Sequence, residues 1–254
     1  MKKILFLVLI ISLGSCATKE QVVYFQDSND FSSVGIDSIY HHPKIQVNDI
    51  LKIDLTALEP ETLMPFMFEK NISATGMNRQ IELLKLEGYL VDKNGDINYP
   101  GLGKVNVKGK STQEVQELLE KRLSKFIKDI SVKVRLVNFK FTVMGEVKAP
   151  GTYTLSEETI TLPQALAMAG DLTIQGERKN LLVFRNENGV LTTKRIDLTQ
   201  TDWMNTSYYF LKQNDMVYVQ PNNPRIKSAG FIGNVGSVIS VVSILMSAAV
   251  LIFR

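Results

Sequence analysis

From Pro43 onward the chain alternates apolar and polar positions. In KIQVNDILKIDL the apolar residues Ile45, Val47, Ile50 and Ile53 recur at strand spacing, since successive side chains of a strand point to opposite faces. TALEPETLMPFMFEKNISATGMNRQ has two prolines, three methionines and no period, and predicts a loop with a short helix. Tyr89 to Val91 and Asp96 to Tyr99 flank Asn94-Gly95. That pair predicts a hairpin, because both central positions of a type I′ turn take positive φ. Gly101 and Gly103 surround a further bend. Ser111 and Glu114 form an S-x-x-E capping box. Behind it Val115, Leu118, Leu119, Leu123 and Phe126 share one face, which predicts an amphipathic helix from Thr112 to about Lys128. Ile130, Val132, Val134 and Leu136 then resume the alternation. Residues 43–137 therefore read as one α+β unit.

A second unit spans 138–221. FKFTVMGEVKAPGTYTL predicts two strands joined through Ala149-Pro150-Gly151, where Pro presets φ and Gly supplies the turn. TLPQALAMAGDL predicts a short helix with Thr161 as cap, Pro163 in the first turn and Gly170 at the stop. NLLVFRNENGVLTTKRIDL predicts a hairpin about Asn188-Gly189, and DMVYVQP a last strand. The order β-β-α-β-β-β suits a β-grasp-like module. No internal repeat is convincing.

The two ends have another texture. Lys2 and Lys3, the apolar run Ile4 to Ile11 and the small residues Gly14 and Ser15 have the layout of an export signal. That run is far shorter than the roughly 20 residues of a spanning helix. Leu13-Gly14-Ser15-Cys16 matches a lipobox, so residues 1–15 are read as a lipoprotein signal peptide and Cys16, the one cysteine, as the lipid attachment site. Residues 16–42 are polar and weakly patterned, and predict a tether with one short strand at Val22 to Phe25. At the other end, Phe231 to Phe253 holds 23 residues without a charge. As a helix it would extend roughly 34 Å, enough to cross a hydrocarbon core of about 30 Å. A C-terminal transmembrane α-helix is accordingly expected over 228–254. Gly233, Gly236, Ser240, Ser243 and Ser247 fall on one side of it as a small, weakly polar stripe, suited to helix packing or to lining a lumen.

The net charge of +3 is scattered and lacks the basic stripe of a nucleic-acid binder. His41 and His42, the only histidines, are adjacent, with no ligand cluster around them, and read as solvated tether residues. Asp92, Asn94 and Asp96 occupy alternate positions, but Ile97 and Gly103 stand where a calcium loop wants Gly and Glu, so a turn is the better reading. Gly101-Leu102-Gly103 lacks the surroundings of a phosphate cradle. Glu157-Glu158 precedes the short helix, where negative charge suits the N-terminus. No catalytic constellation, metal site or cofactor site is visible, and an enzyme is not expected.

Three pieces together resemble a known family, the bacterial outer-membrane polysaccharide export proteins (Wza-like), in their short Bacteroidetes-type form. IQVNDILKI resembles the family's opening GD-x-L-x-I strand, with Asp49 in place and Asn48 where glycine is commonest. GYLVDKNGDINYPGLGKVNVKGKSTQEV carries the D-x-x-G-x-I-x-x-P-x-x-G pattern with Gly95, Pro100 and Gly103, followed by Gly109. VMGEVKAPGTYTL, with Gly145, Pro150 and Gly151, together with the helix and last strand, resembles one soluble-ligand-binding β-grasp (SLBB) domain. The resemblance implies an α+β fold: a polysaccharide export domain, one SLBB domain and a C-terminal transmembrane α-helix. It also implies a ring homo-oligomer at the outer membrane, with its bulk in the periplasm, that passes a polysaccharide and works with an inner-membrane copolymerase. With one SLBB domain, the vestibule would be short. A carbohydrate-binding lipoprotein using the β-grasp domain is the alternative.

Overall fold

The computed structural model describes residues 19–30, 35–40, 42–67, 87–155, 157–187, 189–228 and seven positions between 236 and 247. The expected export signal, Cys16, His41, Asn188 and Gly233 lie outside the described residues.

The alternation after Pro43 becomes strand β1, Ile50–Thr56, which starts later than the sequence suggests. β1 is the centre of a three-stranded antiparallel sheet, between β2 (Tyr89–Leu90) and β5 (Ser131–Leu136). Its register with β5 runs from Leu51 opposite Leu136 to Thr56 opposite Ser131. Val132, Val134 and Leu136 face inward and the residues between them face out, as the period of two requires. Two short helical segments, a 3₁₀ turn at Pro60–Phe66 and helix α1 at Ile36–Ile39, flank this unit.

Helix α2, Thr112–Leu123, buries Val115, Leu119 and Leu123 in the shared core. Its capping box is complete: Glu114 N–H donates to Ser111 Oγ at 3.1 Å, and Ser111 N–H donates to the Glu114 carboxylate. The helix stops earlier than its apolar spacing implies. The Glu120 carboxylate takes the Val132 N–H at 2.9 Å, which draws the start of β5 against the last turn. Beyond Leu123 the Phe126 and Ile127 N–H groups both donate to the Leu123 carbonyl, and Phe126 is 64% exposed with its ring against Phe66 while Ile127 is buried.

The expected Asn94-Gly95 hairpin is also corrected. Gly95 has φ +85°, but Asn94 stays at negative φ, so the turn is not type I′. Asp92 Oδ1 instead accepts the Asn94 and Asp96 N–H groups at 2.8 and 2.9 Å, a side-chain-closed turn. β2 pairs with β1, and β3 (Asp96–Tyr99) pairs with β4 (Gly103–Asn106) around the Pro100-Gly101 bend.

The second sheet has five strands. β6 (Phe139–Gly145) and β7 (Gly151–Leu155) form the hairpin expected at Ala149-Pro150-Gly151. β9 (Leu181–Glu187) and β10 (Val190–Ile196) form the other expected hairpin, with Val190 opposite Glu187. β12, Met216–Val219, lies between β9 and β6, antiparallel to the first and parallel to the second. Helix α3, Leu162–Met168, is capped by Thr161 with Gln164 and has Pro163 in its first turn. The two-residue strands β8 (Ile160–Thr161) and β11 (Phe210–Leu211) pair beside it.

No strand forms at Val22 to Phe25. Phe25 adopts φ +52°, and its N–H and that of Gln26 donate to the Leu198 and Thr199 carbonyls at 3.2 and 2.7 Å. Tyr24 Oη donates to Asp171 at 2.7 Å, and the Phe25 ring lies 6.4 Å from that of Trp203. This part of the expected tether is therefore docked on the second sheet's unit. Aromatic burial offsets the entropy of ordering an otherwise polar segment.

Helix α4, Asn223–Ser228, ends the continuous description. Among the described residues no helix is long and apolar enough to cross a membrane. Most of 229–254, including the bulk of the expected transmembrane helix, lies outside the described residues. Gly236, Ser240, Ser243 and Ser247 are helical and exposed. Ser240 Oγ donates to Gly236 O and Ser247 Oγ to Ser243 O, both at 2.8 Å. These hydroxyls bond back onto their own turn, a pattern that satisfies serine without a neighbouring helix.

At Gly145, φ is +93° and an added Cβ would sit 2.0 Å from the Val219 carbonyl oxygen. Gly103, at φ +69°, has open space. Gly145→Ala is expected to cost on the order of 3 kcal/mol or more, and Gly103→Ala about 1 kcal/mol. Urea unfolding of the two variants checks this, and equal losses would show that the β6–β12 approach does not select glycine.

Candidate functional site: the joint between the two sheets

Two turns of the same design face each other across the junction. The first is Gln46-Val47-Asn48-Asp49, just before β1. Asn48 has φ +70°, Asp49 N–H donates to Gln46 O at 3.2 Å, and Gln46 N–H donates to Asp49 Oδ2 at 2.8 Å. The second is Lys212-Gln213-Asn214-Asp215, just before β12. Asn214 has φ +65°, Asp215 N–H donates to Lys212 O at 3.1 Å, and Lys212 N–H donates to Asp215 Oδ2 at 2.8 Å. In each, a left-handed Asn lets the chain reverse and an Asp closes the turn with its own carboxylate. Asn tolerates this backbone region better than other side chains, which explains why Asn48 can stand at a glycine position.

Gln213 joins the turns. Its Nε2 donates to Asp49 Oδ1 at 3.1 Å and to Asn138 O at 3.0 Å, and its Oε1 accepts the Lys140 N–H at 2.8 Å. Asn138 ties the other way: Oδ1 accepts Ile50 N–H at 2.8 Å and Nδ2 donates to Asn48 O at 3.0 Å. Asp49 is 1% exposed and Gln213 is buried. At the far side of the same junction, Thr112 Oγ1 donates to Glu158 at 3.1 Å. The side-chain amides of Gln213 and Asn138 are both partnered on their oxygen and nitrogen, so a specific polar lock joins the two sheets beside the apolar core they share.

The second turn is itself held from below. Arg185, 1% exposed, grips Asp215 through Nε at 3.1 Å and Nη2 at 2.6 Å, and donates to the Ser207 and Phe210 carbonyls at 3.0 and 2.9 Å. Its guanidinium carbon also lies 4.4 Å from the centre of the Tyr208 ring. Burial pushes the Asp215 carboxyl up, opposed by Arg185. Neither Gln213 nor Arg185 stood out in the sequence. The signal that could have found them was the repeated Asn-Asp before a strand, once in IQVNDILKI and once in LKQNDMVYV.

The other motif positions do backbone work. Gly95 O accepts the Val107 and Lys108 N–H groups, and an added Cβ would meet Lys108 Cβ at 2.4 Å. Pro100 sits in the β3–β4 bend that Gly103 closes, and Gly109 N–H donates to Ile45 O at 2.9 Å with φ +76°. Pro150 and Gly151 lie at the β6–β7 turn. These positions are spread over both units and do not converge on one cleft.

An open cavity of about 260 Å³ lies where the N-terminal segment meets the second unit, lined chiefly by Tyr24, Phe25, Leu166, Ala167, Leu198 and Trp203. Its one carboxylate, Asp171, is engaged by Tyr24 Oη and the Leu172 N–H. Sugar recognition needs several free polar groups around an aromatic platform, and this lining does not supply them. Among the described residues no group of three or more His, Cys, Asp or Glu is placed to hold a metal. His42 is exposed with its ring 5.1 Å from that of Tyr40, and the Asp92 carboxylate is spent on its own turn.

Burial pushes the Asp49 carboxyl up to about 6, against the opposing pull of the Gln46 and Gln213 amides. The folded value lies above the unfolded one, so this group's contribution to stability is complete below about pH 4 and is lost as pH rises through about 6. Asp49→Asn should remove that dependence. Between about pH 4 and pH 7 the unfolding free energy of the variant should gain on that of the wild type by on the order of 2–3 kcal/mol. Urea melts across this range measure it, and a pH-independent difference would mean that the carboxylate is not desolvated.

Residues 40–137 match the polysaccharide biosynthesis/export protein family, and residues 139–219 match the SLBB domain family. Among curated proteins, the chain is 27% identical over 182 residues to the EPS I polysaccharide export outer membrane protein EpsA of Ralstonia solanacearum, covering 70% of this chain and 48% of that one. It is 25% identical over 221 residues to the capsule polysaccharide export outer membrane protein CtrA of Neisseria meningitidis serogroup A, covering 85% of this chain and 54% of that one. The chain thus spans about half the length of the curated relatives it matches. The relatives are named for export, not catalysis, and this kinship is not that of an enzyme. Matched in this order across 40–219, the chain belongs to the polysaccharide biosynthesis/export protein family and carries one SLBB domain.

Proposed function

We propose that this protein is an outer-membrane lipoprotein subunit of an oligomeric conduit that exports capsular or extracellular polysaccharide. The observation that carries the reading is the order of parts. A lipobox at Cys16 precedes the export-family region and the SLBB domain, and an uncharged run from Phe231 to Phe253 follows them. Both named relatives are export outer membrane proteins. The Asp49–Gln213–Asn138 lock supports the reading as well, because a wall element of a ring must hold its two units at one fixed angle.

In this reading the subunits self-associate into a ring, and the polymer moves through its lumen under steric and electrostatic guidance. An inner-membrane copolymerase supplies the chain and the drive. Cys16 lipid holds each subunit at the membrane, and the 231–253 run crosses it, with Gly233, Gly236, Ser240, Ser243 and Ser247 turned to neighbouring helices or the lumen. The apolar lining of the cavity beside Trp203 disfavours the alternative of a carbohydrate-binding lipoprotein.

Electron microscopy of the detergent-extracted full-length protein should give closed rings of one symmetry. A strictly monomeric protein in several mild detergents sinks the conduit. Removing 231–254 should abolish export while leaving the two sheets folded, which circular dichroism of the truncated protein checks.

A further inference from the structure

Both ends of the described body are fastened to one loop, 171–178. At the N-terminal side, Tyr24 Oη donates to Asp171, and the Tyr24 ring lies 5.8 Å from the Arg178 guanidinium carbon. At the C-terminal side, Asn222 N–H donates to Gln175 O at 2.7 Å and Asn222 Nδ2 to Ile174 O at 3.2 Å. Asn222 then accepts the Arg225 N–H at 3.1 Å in the first turn of α4. The loop is stiff. Arg178, 5% exposed, donates through Nη1 to the Thr173 and Gly176 carbonyls at 2.8 and 2.7 Å. Glu177 N–H is tied to Gln220 O at 2.7 Å. Against this frame Ile174 and Ile226 are 65% and 57% exposed.

Chain length decides what lies opposite. Tyr24 lies eight positions beyond Cys16, a reach of at most about 28 Å, and Phe231 three positions beyond Ser228, a reach of about 10 Å. A bilayer with its headgroups is itself about 40–45 Å thick. Two such short leads from one loop can enter only one membrane.

We propose that loop 171–178 and the start of α4 form a membrane-facing platform, with Ile174 and Ile226 dipping into the headgroup layer of the single bilayer that receives both ends. This rests on the lipoprotein and spanning-helix reading above. An aliphatic side chain presented from a rigid loop, with Arg225 and Lys227 beside it, fits the apolar-to-charged boundary of that layer.

The test uses the full-length protein in vesicles of phosphatidylcholine and phosphatidylglycerol. Ile174→Cys, Ile226→Cys and, far from the loop, Leu58→Cys each receive a maleimide fluorophore sensitive to polarity. Wild type serves as the blank, since lipidated Cys16 has no free thiol. Labels at 174 and 226 should be blue-shifted and quenched several-fold more by spin-labelled lipid than the label at 58. If the protein floats with the vesicles and the blank stays unlabelled, yet all three labels are equally aqueous, the platform is overturned while the anchor reading stands. If wild type takes up label at Cys16, or fails to float, the anchor reading fails and the platform with it.

Discussion

A buried carboxylate without a cation is expensive, and Asp49 occupies that position at the junction of the two sheets. What makes it tolerable is a set of amides: the Gln46 N–H from its own turn and the Gln213 side chain from the other unit. The arrangement is directional, because Gln213 must also serve Asn138 O and Lys140 N–H. Sliding either sheet by about an ångström would take these bonds beyond hydrogen-bond distance and leave buried polar atoms unpaired, and each such loss costs on the order of 1–3 kcal/mol. The polar lock therefore defines an angle between the units, which apolar packing alone would leave soft.

The lock depends in turn on the Arg185–Asp215 pair. Removing two charges from water is costly, and such a pair adds little net stability by itself. Its value here is positional. Asp215 closes the turn that presents Gln213, and Arg185 pins that turn to the Ser207 and Phe210 carbonyls, with Tyr208 covering the guanidinium. The parallel pairing of β12 with β6 carries the same constraint into the sheet, where Gly145 admits the Val219 carbonyl at a distance no side chain would allow. Thus one line of contacts runs from the centre of the second sheet to the first residue of β1.

For a protein of the polysaccharide export family this economy of parts makes physical sense. Nothing in the described residues gathers into a catalytic or metal-binding cleft, and the motif glycines serve turns and close backbone approaches rather than ligands. What these residues specify is shape: how two small sheets are set against each other and where the chain leaves them. The docking of Tyr24 and Phe25 belongs to the same logic, since it ties the segment that follows Cys16 to the loop that also holds Asn222.

Local physics was legible in the chain. The capping boxes at Ser111 and Thr161, the alternation through Val132, Val134 and Leu136, and the hairpins at Pro150-Gly151 and Gly189 each depend on residues a few positions apart. The family kinship was legible too, because its motifs are largely such local turns. Pairings between distant segments were not. β2 chose β1 over β3, β12 inserted parallel to β6, Glu120 in the last turn of α2 met Val132, and Tyr24 found Asp171 across 147 positions. Each of these is a competition for backbone groups or buried surface among residues far apart in sequence, and only the tertiary arrangement brings the competitors together. The lock at Asp49 is the clearest instance: the Asn-Asp turn could be read from four residues, but its partner Gln213 lies 164 positions away and is identified only by the fold.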